Sequence, residues 1–410
     1  MTYQDWQLMS KNKKKWIPEL RFPEFVNEGE WAKTTLGDIG NFIGGGTPDT
    51  TKPEYWNGDI QWYTPTEVKE GKVGKSIRTI TEEGLRNSSA KLLPKGALLL
   101  STRATIGDIA IANCECTTNQ GFQSLVVKHS EVNTFWFYWI IQHKNELIKK
   151  ASGSTFPEIG KNEILKIEAF KPTPQEQQKI AACLTSLDDL IAAHRQKLEL
   201  LQDHKKGLLQ NLFPQEGERV PKVRFKEFEK DGAWVEKKLG KIAKNLDSKR
   251  IPITSNQREK GNIPYYGASG IIDYVKDYIF DEELLLISED GANLIARVYP
   301  IAFSISGKTW VNNHAHVLKF ENWYTQVLVE KYLNSKNIED FLTGMAQPKL
   351  NRGKLDIIPI PLPKNLKEQQ KIAACLSSLD ALITAQAERI EQLQQHKQGL
   401  MQGLFPRIDD

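Results

Sequence analysis

Few residues of this 410-residue chain have the types and spacing that chemistry demands, and each such set has a quieter explanation. His314 and His316 stand two apart on an expected strand, hence on one face, where two imidazoles could ligate a metal. The matching positions in the first half of the chain are Gly121 and Gln123, which leaves DNA contact or ordinary packing for the pair and no metal. Cys114 and Cys116 form a C-x-C without a second pair at zinc-ligand spacing, while Cys183 and Cys375 fall inside expected helices. All four thiols therefore read as reduced and structural. Pro48-Asp49 followed by Glu67-Val68-Lys69 loosely fits a metal-dependent nuclease, but Asp49 sits in a TPDTTKP turn and the second half carries no copy. A DNA methyltransferase would need an Asp/Asn-Pro-Pro-aromatic turn, and the chain has no Pro-Pro. Gly44-Gly45-Gly46 runs into Thr47-Pro48 and reads as a turn, and no Walker loop occurs. The chain is expected to be non-catalytic and to bind no metal or cofactor itself.

What must position these residues is a chain written twice. EQQKIAACLTSLDDLIAAHRQKLELLQDHKKGLLQNLFP, Glu176 to Pro214, returns as EQQKIAACLSSLDALITAQAERIEQLQQHKQGLMQGLFP, Glu368 to Pro406, with about two thirds of positions identical. A fainter repeat leads into each half: Arg21, Phe22, Phe25, Trp31, Leu36 and Gly37 match Arg224, Phe225, Phe228, Trp234, Leu239 and Gly240. Between these ends the halves share a pattern. KGALLLSTRATIGDIAIA and EELLLISEDGANLIARVY each read as strand, Gly-containing turn and strand, and Asn119-Gln120-Gly121-Phe122 takes the place of Asn312-Asn313-His314-Ala315. GSTFPEIGKNEIL from Gly153 resembles GMAQPKLNRGKLD from Gly344. Two copies of one α+β domain with diverged surfaces are expected.

The repeated blocks carry the positioning elements. Leu184, Leu187, Ile191, His194, Leu198, Leu201, Lys205, Leu208 and Leu212 step by three and four, the spacing of a coiled-coil seam. Leu376, Leu379, Ile383, Gln386, Ile390, Leu393, Lys397, Leu400 and Leu404 repeat the register. Pro174 and Pro214 bracket the first helix, giving about 38 residues and on the order of 57 Å at ~1.5 Å per residue. A globular domain lies between the copies, so antiparallel pairing within the chain about a pseudo-two-fold axis is the simplest closure; dimerisation with a second molecule is the alternative. His194 with Gln386 and Lys205 with Lys397 interrupt the seam and would fix register.

Composition constrains the class without naming it. Hydrophobic residues at 40% and charged residues at 26% suit soluble multidomain proteins, and no apolar run approaches a membrane helix. Nor does the basic start MTYQDWQLMSKNKKKW lead into a secretory core, so the cytoplasm is expected. A net charge of +4 is too mild to declare a nucleic-acid binder by itself.

The doubled EQQKIA…SLD…LI…GL…LFP block and the P-x-x-RF…W…LG lead-ins resemble the specificity subunits of type I restriction-modification enzymes, over essentially all of the chain after Lys15. The resemblance implies two target-recognition domains, each reading one half of a split DNA sequence, with the antiparallel coiled coil setting the gap. Two methyltransferase subunits and restriction/translocase subunits are the implied protein partners, using S-adenosylmethionine, ATP and Mg. The expected division is a tail over 1–17, a first domain over 18–174, a spacer helix over 175–214, a second domain over 215–366, a spacer helix over 367–406 and a tail over 407–410.

Phosphates call for Lys and Arg, and base edges for forked or bidentate side chains on exposed loops. In the first domain these are Thr47, Lys52, Arg86, Asn87, Ser88, Arg103, Thr105, Asn119, Gln120 and Lys161. In the second they are Lys249, Arg250, Arg258, Tyr265, Tyr266, Lys308, Asn312, Asn313, His314, Gln347, Lys349 and Arg352. Trp56, Trp62 and Tyr63 read as core. The repeated helix starts, Glu176-Gln177-Gln178 and Glu368-Gln369-Gln370, suggest a face for two equal methyltransferase partners. Two other classes remain: a DNA-binding module acting alone, and a coiled-coil scaffold whose globular parts bind protein.

Overall fold

The computed structural model describes residues 16–69, 71–153, 157–344 and 347–406; most of the expected N-terminal tail and the C-terminal tail lie outside the described residues. The chain forms two compact units, one of residues 1–193 with 389–410 and one of residues 194–388.

In the first unit, β1 (Ala32–Thr35) opens the domain and pairs antiparallel with the last strand. A five-stranded sheet has the order β2-β9-β6-β7-β4, formed by β2 (Gly40–Gly44), β4 (Lys72–Val73), β6 (Leu98–Leu100), β7 (Ile109–Ala112) and β9 (Gln123–Val127). A smaller sheet has the order β5-β3-β8, from β3 (Trp56–Tyr63), β5 (Arg78–Ile80) and β8 (Cys116–Thr118), with β3 and β8 parallel. β10 (Glu168–Lys171) closes the domain against β1. Helix α1 (Asn133–Gln142) reads FWFYWI through its middle, and all six of these residues are buried, as an all-round apolar core helix should be.

The second unit repeats this plan. β11 (Val235–Lys238) pairs with β20 (Pro359–Leu362). A four-stranded sheet β12-β19-β16-β17 comprises β12 (Lys244–Asn245), β16 (Leu284–Ser288), β17 (Ala302–Ile305) and β19 (Ala315–Lys319). A second sheet β14-β13-β18-β15 comprises β13 (Lys260–Gly267), β14 (Gly270–Val275), β15 (Phe280–Asp281) and β18 (Lys308–Val311), with β13 and β18 parallel.

One expected strand is a correction. LIARVY, after the turn that follows β16, contributes a short helix at Asn293–Ala296, and the returning strand comes later, at Ala302–Ile305. Leu294 is anchored in the core, and Arg297 ends the helix with a φ of 52° while its guanidinium donates to the carbonyls of Leu333 and Lys336.

The two repeated blocks are helices of 39 residues each, α2 (Pro174–Leu212) and α3 (Leu366–Leu404), roughly 58 Å long at ~1.5 Å per residue. Within the first unit the start of α2 packs against the end of α3. Leu184 shares a core with Met401 and Leu404, and Lys397 meets Asp188 at 2.6 Å. Within the second unit the end of α2 packs against the start of α3, with Leu208 and Leu212 beside Leu376 and Lys205 meeting Asp380 at 2.5 Å. Both packings are antiparallel, and the two ion pairs join equivalent residues of the repeat. Leu187, Leu198, Leu201, Ile383 and Leu400 are half-buried, and Ile191, Leu379, Ile390 and Leu393 are buried. Fully burying one such side chain contributes about 1.5–3 kcal/mol. Gln386 donates through Nε2 to the His194 carbonyl at 2.8 Å, so this seam interruption is hydrogen-bonded across the helix pair.

The lead-in repeat explains itself in the same terms. Leu20 N–H donates to the Gly403 carbonyl at 2.8 Å and Val223 N–H to the Asn211 carbonyl at 3.0 Å, so each domain begins on the end of a long helix. Arg21 then makes a two-pronged pair with Glu176 at 2.9 and 2.7 Å, and Arg224 does so with Glu368 at 2.6 and 2.7 Å.

Candidate nucleic-acid interface

Where β3 and β8 run parallel, their C-terminal ends emerge together, and the loops that follow define a surface. Asn119 N–H donates to the Tyr63 carbonyl at 3.0 Å, and the Asn119 side chain accepts from Gly121 N–H at 2.8 Å. The Gly44-Gly45-Gly46 turn lies flush against this loop: a Cβ on Gly45 would sit 2.0 Å from the Asn119 carbonyl, and one on Gly46 2.2 Å from Ser89 Oγ. Thr47 Oγ1 then reaches Gln120 Oε1 at 2.6 Å. Thr102 N–H donates to the Gly121 carbonyl and Ile159 N–H to the Thr102 carbonyl, which brings Arg103 alongside; Arg103 pairs with Glu158 at 2.8 Å. The fold thus brings Thr47, Ser88, Arg103, Asn119 and Gln120 to one end of the domain.

The second unit builds the same end with the same main-chain bonds. Asn312 N–H donates to the Tyr266 carbonyl, Asn312 Oδ1 accepts from His314 N–H, Glu289 N–H donates to the His314 carbonyl and Leu350 N–H to the Glu289 carbonyl. Tyr63, Thr102, Asn119, Gly121, Gln123 and Ile159 are therefore equivalent to Tyr266, Glu289, Asn312, His314, His316 and Leu350. Isolated bridges join Arg103 to Glu158 and Asp290 to Lys349, at equivalent places with reversed charge.

Of the residues expected to read DNA, Lys52, Arg86, Asn87, Arg103, Thr105, Gln120, Lys161, Lys249, Lys308, Asn313, His314, Gln347, Lys349 and Arg352 are exposed. Several stand apart from the loop cluster or are partly engaged. Lys52 lies over the Tyr55 ring, Lys161 donates to the Phe42 carbonyl at 2.7 Å, Lys308 sits over Tyr278 at the opposite end of β18 from Asn312, and Arg352 faces Asp356. Thr47, Ser88, Asn119 and Tyr266 are half-buried.

Four expectations are corrected. Tyr265 is 1% exposed and its hydroxyl accepts from Ile253 N–H; Asn312 is 5% exposed and spends its side chain shaping the turn. Arg258 is stacked on Tyr265 and paired with Asp273 at 3.1 Å. Arg250 is bonded to Glu289 at 2.6 Å and to the Ala315 carbonyl at 2.8 Å. These side chains are engaged in holding their own loops. His316 is likewise buried, its Nδ1 2.6 Å from Asp247 and its Nε2 2.6 Å from the Leu350 carbonyl, so packing and not DNA contact accounts for it. Burial raises the Asp247 carboxyl, but the hydrogen bond and charge of His316, with Val317 N–H and Asn245, outweigh it and hold the group below the usual carboxylate range. Asp247, Glu289 and His316 have the donor types of a metal site, and the Arg250 guanidinium is the cation among them.

The expected partner face is also corrected. Glu176, Gln177, Glu368 and Gln369 are buried, because the two glutamates receive Arg21 and Arg224 while Gln177 bonds to Val132 N–H and Gln369 to the Pro363 carbonyl; only Gln178 and Gln370 of these six are exposed. The nuclease-like set dissolves too. Asp49 accepts from Thr51, and Glu67 from Thr64 and Ile77 N–H, so each carboxylate serves its own turn. Burial pushes the Cys116 thiol up to about 12, which suits a packed residue and not a nucleophile. Trp56, Trp62 and Tyr63 are buried.

Sequence reasoning missed Arg78, the first residue of the edge strand β5, and Ile77 just before it, beside this surface. Arg78 stacks 3.5 Å from the Trp56 ring, and Ile77 is 85% exposed. No periodicity marks them, since the hairpin that places them is set by the Trp62–Arg78 pairing.

Two units with equivalent loop ends, joined through repeated helices, define a duplicated recognition protein. The type I restriction modification DNA specificity domain family matches residues 28–203 and 232–395, and the chain belongs to that family. It is 32% identical over 305 residues to the type I restriction enzyme MjaIX specificity subunit of Methanocaldococcus jannaschii, covering 68% of this chain and 70% of that one. It is 28% identical over 388 residues to the EcoprrI specificity subunit of Escherichia coli, covering 91% and 93%. The fold matches the S subunit from M. genitalium with a TM-score of 0.64 at 16% identity, over 96% of this chain and 100% of that one. A chain from a structure of complex assembly and conformational transition of the type I R-M system matches with a TM-score of 0.54 at 18% identity, over 92% and 97%. The chain is a type I DNA specificity subunit, the non-catalytic component of its system. No helix among the described residues is long and apolar enough to cross a membrane.

Proposed function

We propose that this chain reads a bipartite double-stranded DNA target, with the domain over 18–174 on one half-site and the domain over 215–366 on the other. The helices over 175–214 and 367–406 set the gap. The observation that carries this reading is the duplicated loop end: the same main-chain bonds recur around Asn119 and Asn312, while the side chains they present differ. Phosphate contacts would come from Lys and Arg on these loops, and base readout from Gln120, Asn313 and their neighbours. Half-sites read on one face of DNA lie about 34 Å apart per turn, a span that helices of this length can hold.

The protein acts in the cytoplasm with two methyltransferase subunits, one for each copy of the repeated helical block, and with restriction/translocase subunits. S-adenosylmethionine, ATP and Mg are used by those partners. Co-expression with its methyltransferase subunit and single-molecule mapping of methylated bases tests the reading. A two-part motif with a fixed non-specific gap is expected. A continuous motif, or a well-formed complex that methylates nothing, overturns it.

A further inference from the structure

Beneath the loop end of the second unit lies a buried charged network whose counterpart is not found among the described residues of the first. Asp247, Arg250, Glu289 and His316 have side chains only 8, 13, 14 and 1% exposed, so they are placed to act on neighbouring loops and not on DNA directly. Their bonds reach three segments. From the turn that also carries Lys249, Arg250 donates to the Ala315 carbonyl at 2.8 Å and to the Asn313 carbonyl at 3.3 Å, gripping the loop that presents Asn313 and His314. His316 meets the Leu350 carbonyl at 2.6 Å, next to exposed Lys349, and Lys349 itself reaches Glu289 at 3.4 Å. Asp247 closes the set by accepting from Val317 N–H at 2.8 Å while facing His316 at 2.6 Å. Since a carbonyl can only accept, His316 donates from Nε2, and the Asp247 carboxylate takes the other side of the ring.

In the first unit the place of His316 is taken by Gln123, whose Oε1 is buried without a partner, and that of Glu289 by Thr102. There, among the described residues, the loops are tied by main-chain bonds, by Thr47 to Gln120 and by the half-exposed Arg103–Glu158 pair. Buried charges bind strongly to their partners and are costly to leave alone, so removing one partner forces the others to move toward water. In the second unit that movement shifts three loops at once.

We infer that Asp247, Arg250, Glu289 and His316 are positioning residues for the DNA-reading loops of the second unit, and that base preference in one half of the target depends on them while the other half does not. This inference rests on the bipartite reading above. The test uses the full chain co-expressed with its methyltransferase subunit, comparing the methylated motif of wild type with those of His316→Gln, Arg250→Lys and the double variant Asp247→Asn with His316→Gln. His316→Gln should lower the preference for cognate over singly mismatched bases about tenfold in one half only, with the gap, the other half and the yield of complex unchanged. The double variant removes the Asp247 carboxylate together with its imidazole partner and should relax that half about as much as His316→Gln alone, since the two act through one contact, whereas independent losses of packing would add. Should His316→Gln unfold the second unit, Arg250→Lys, which keeps a cation but loses the fork, carries the same expectation. A wild-type complex without a two-part motif overturns the bipartite reading itself. A two-part wild-type motif left intact in both halves by His316→Gln and Arg250→Lys, or relaxed equally in both, overturns only the positioning role.

Discussion

The two loop ends are alike where they bear on the chain and unlike where they face outward. Tyr63 and Tyr266 offer the same carbonyl to Asn119 and Asn312, and Arg21–Glu176 repeats as Arg224–Glu368. Around these anchors Arg103 and Glu158 give way to Asp290 and Lys349, Gly121 to His314 and Gln123 to His316. Main-chain hydrogen bonds need no particular side chain, so they can hold a loop in place while its surface residues change. A duplicated gene product can thereby keep one scaffold and present two different surfaces.

The comparison breaks most visibly at its shared anchors. Glu176→Ala leaves Arg21 buried and unpaired, and Glu368→Ala does the same to Arg224; each should cost about 3–5 kcal/mol. Hydrogen exchange followed by mass spectrometry should show the loss concentrated in the unit that carries the variant, and a uniform loss would argue against two separately anchored units. Next in size are the side chains proposed to read bases. Gln120→Ala and Asn313→Ala should each relax one half of the methylated motif by about 1–3 kcal/mol of discrimination, in opposite halves, with little change in melting temperature.

Acid should separate the units more gently. The folded-state carboxyls of Asp247 and Asp380 are held low against burial, Asp247 chiefly by His316 and Asp380 by Lys205 and Lys331. Their stabilisation is complete above the unfolded carboxyl value of about 3.9 and is lost as pH falls through the lower folded values. Both groups belong to the second unit, whereas the lowered carboxyls described in the first, Glu24, Asp38 and Asp49, are at the surface. Unit-resolved exchange below about pH 4 should therefore find the second unit opening first. Smallest of all, Lys205→Met and Lys397→Met remove equivalent, partly exposed ion pairs and should each change stability by about 0–1 kcal/mol, less in the second unit, where Lys331 still pairs with Asp380 at 2.8 Å; a larger loss there in thermal melts would contradict this.

The helices were legible because repetition and seam spacing both survive in the sequence, and Leu184, Ile191, Leu376 and Leu393 are buried as that spacing demands. The loop correspondence was legible through Asn119 and Asn312, whose turns recur. What stayed hidden depends on partners distant in sequence. Glu176 and Glu368 look like surface charges until Arg21 and Arg224 arrive from about 150 residues away, and Arg250 looks like a phosphate contact until Glu289 takes it. The helix at Asn293–Ala296 escaped because LIARVY is apolar enough for a strand, and a left-handed Arg297 decides otherwise.

The proposed division of labour gives the bases to the units and the distance to the helices. It is tested most directly by adding one four-residue turn near the middle of each long helix, after Gln196 and after Glu388, and mapping the methylated motif of the resulting complex. Both half-site sequences should stay unchanged, with a longer gap between them. An altered half-site sequence across an unchanged gap would contradict that division.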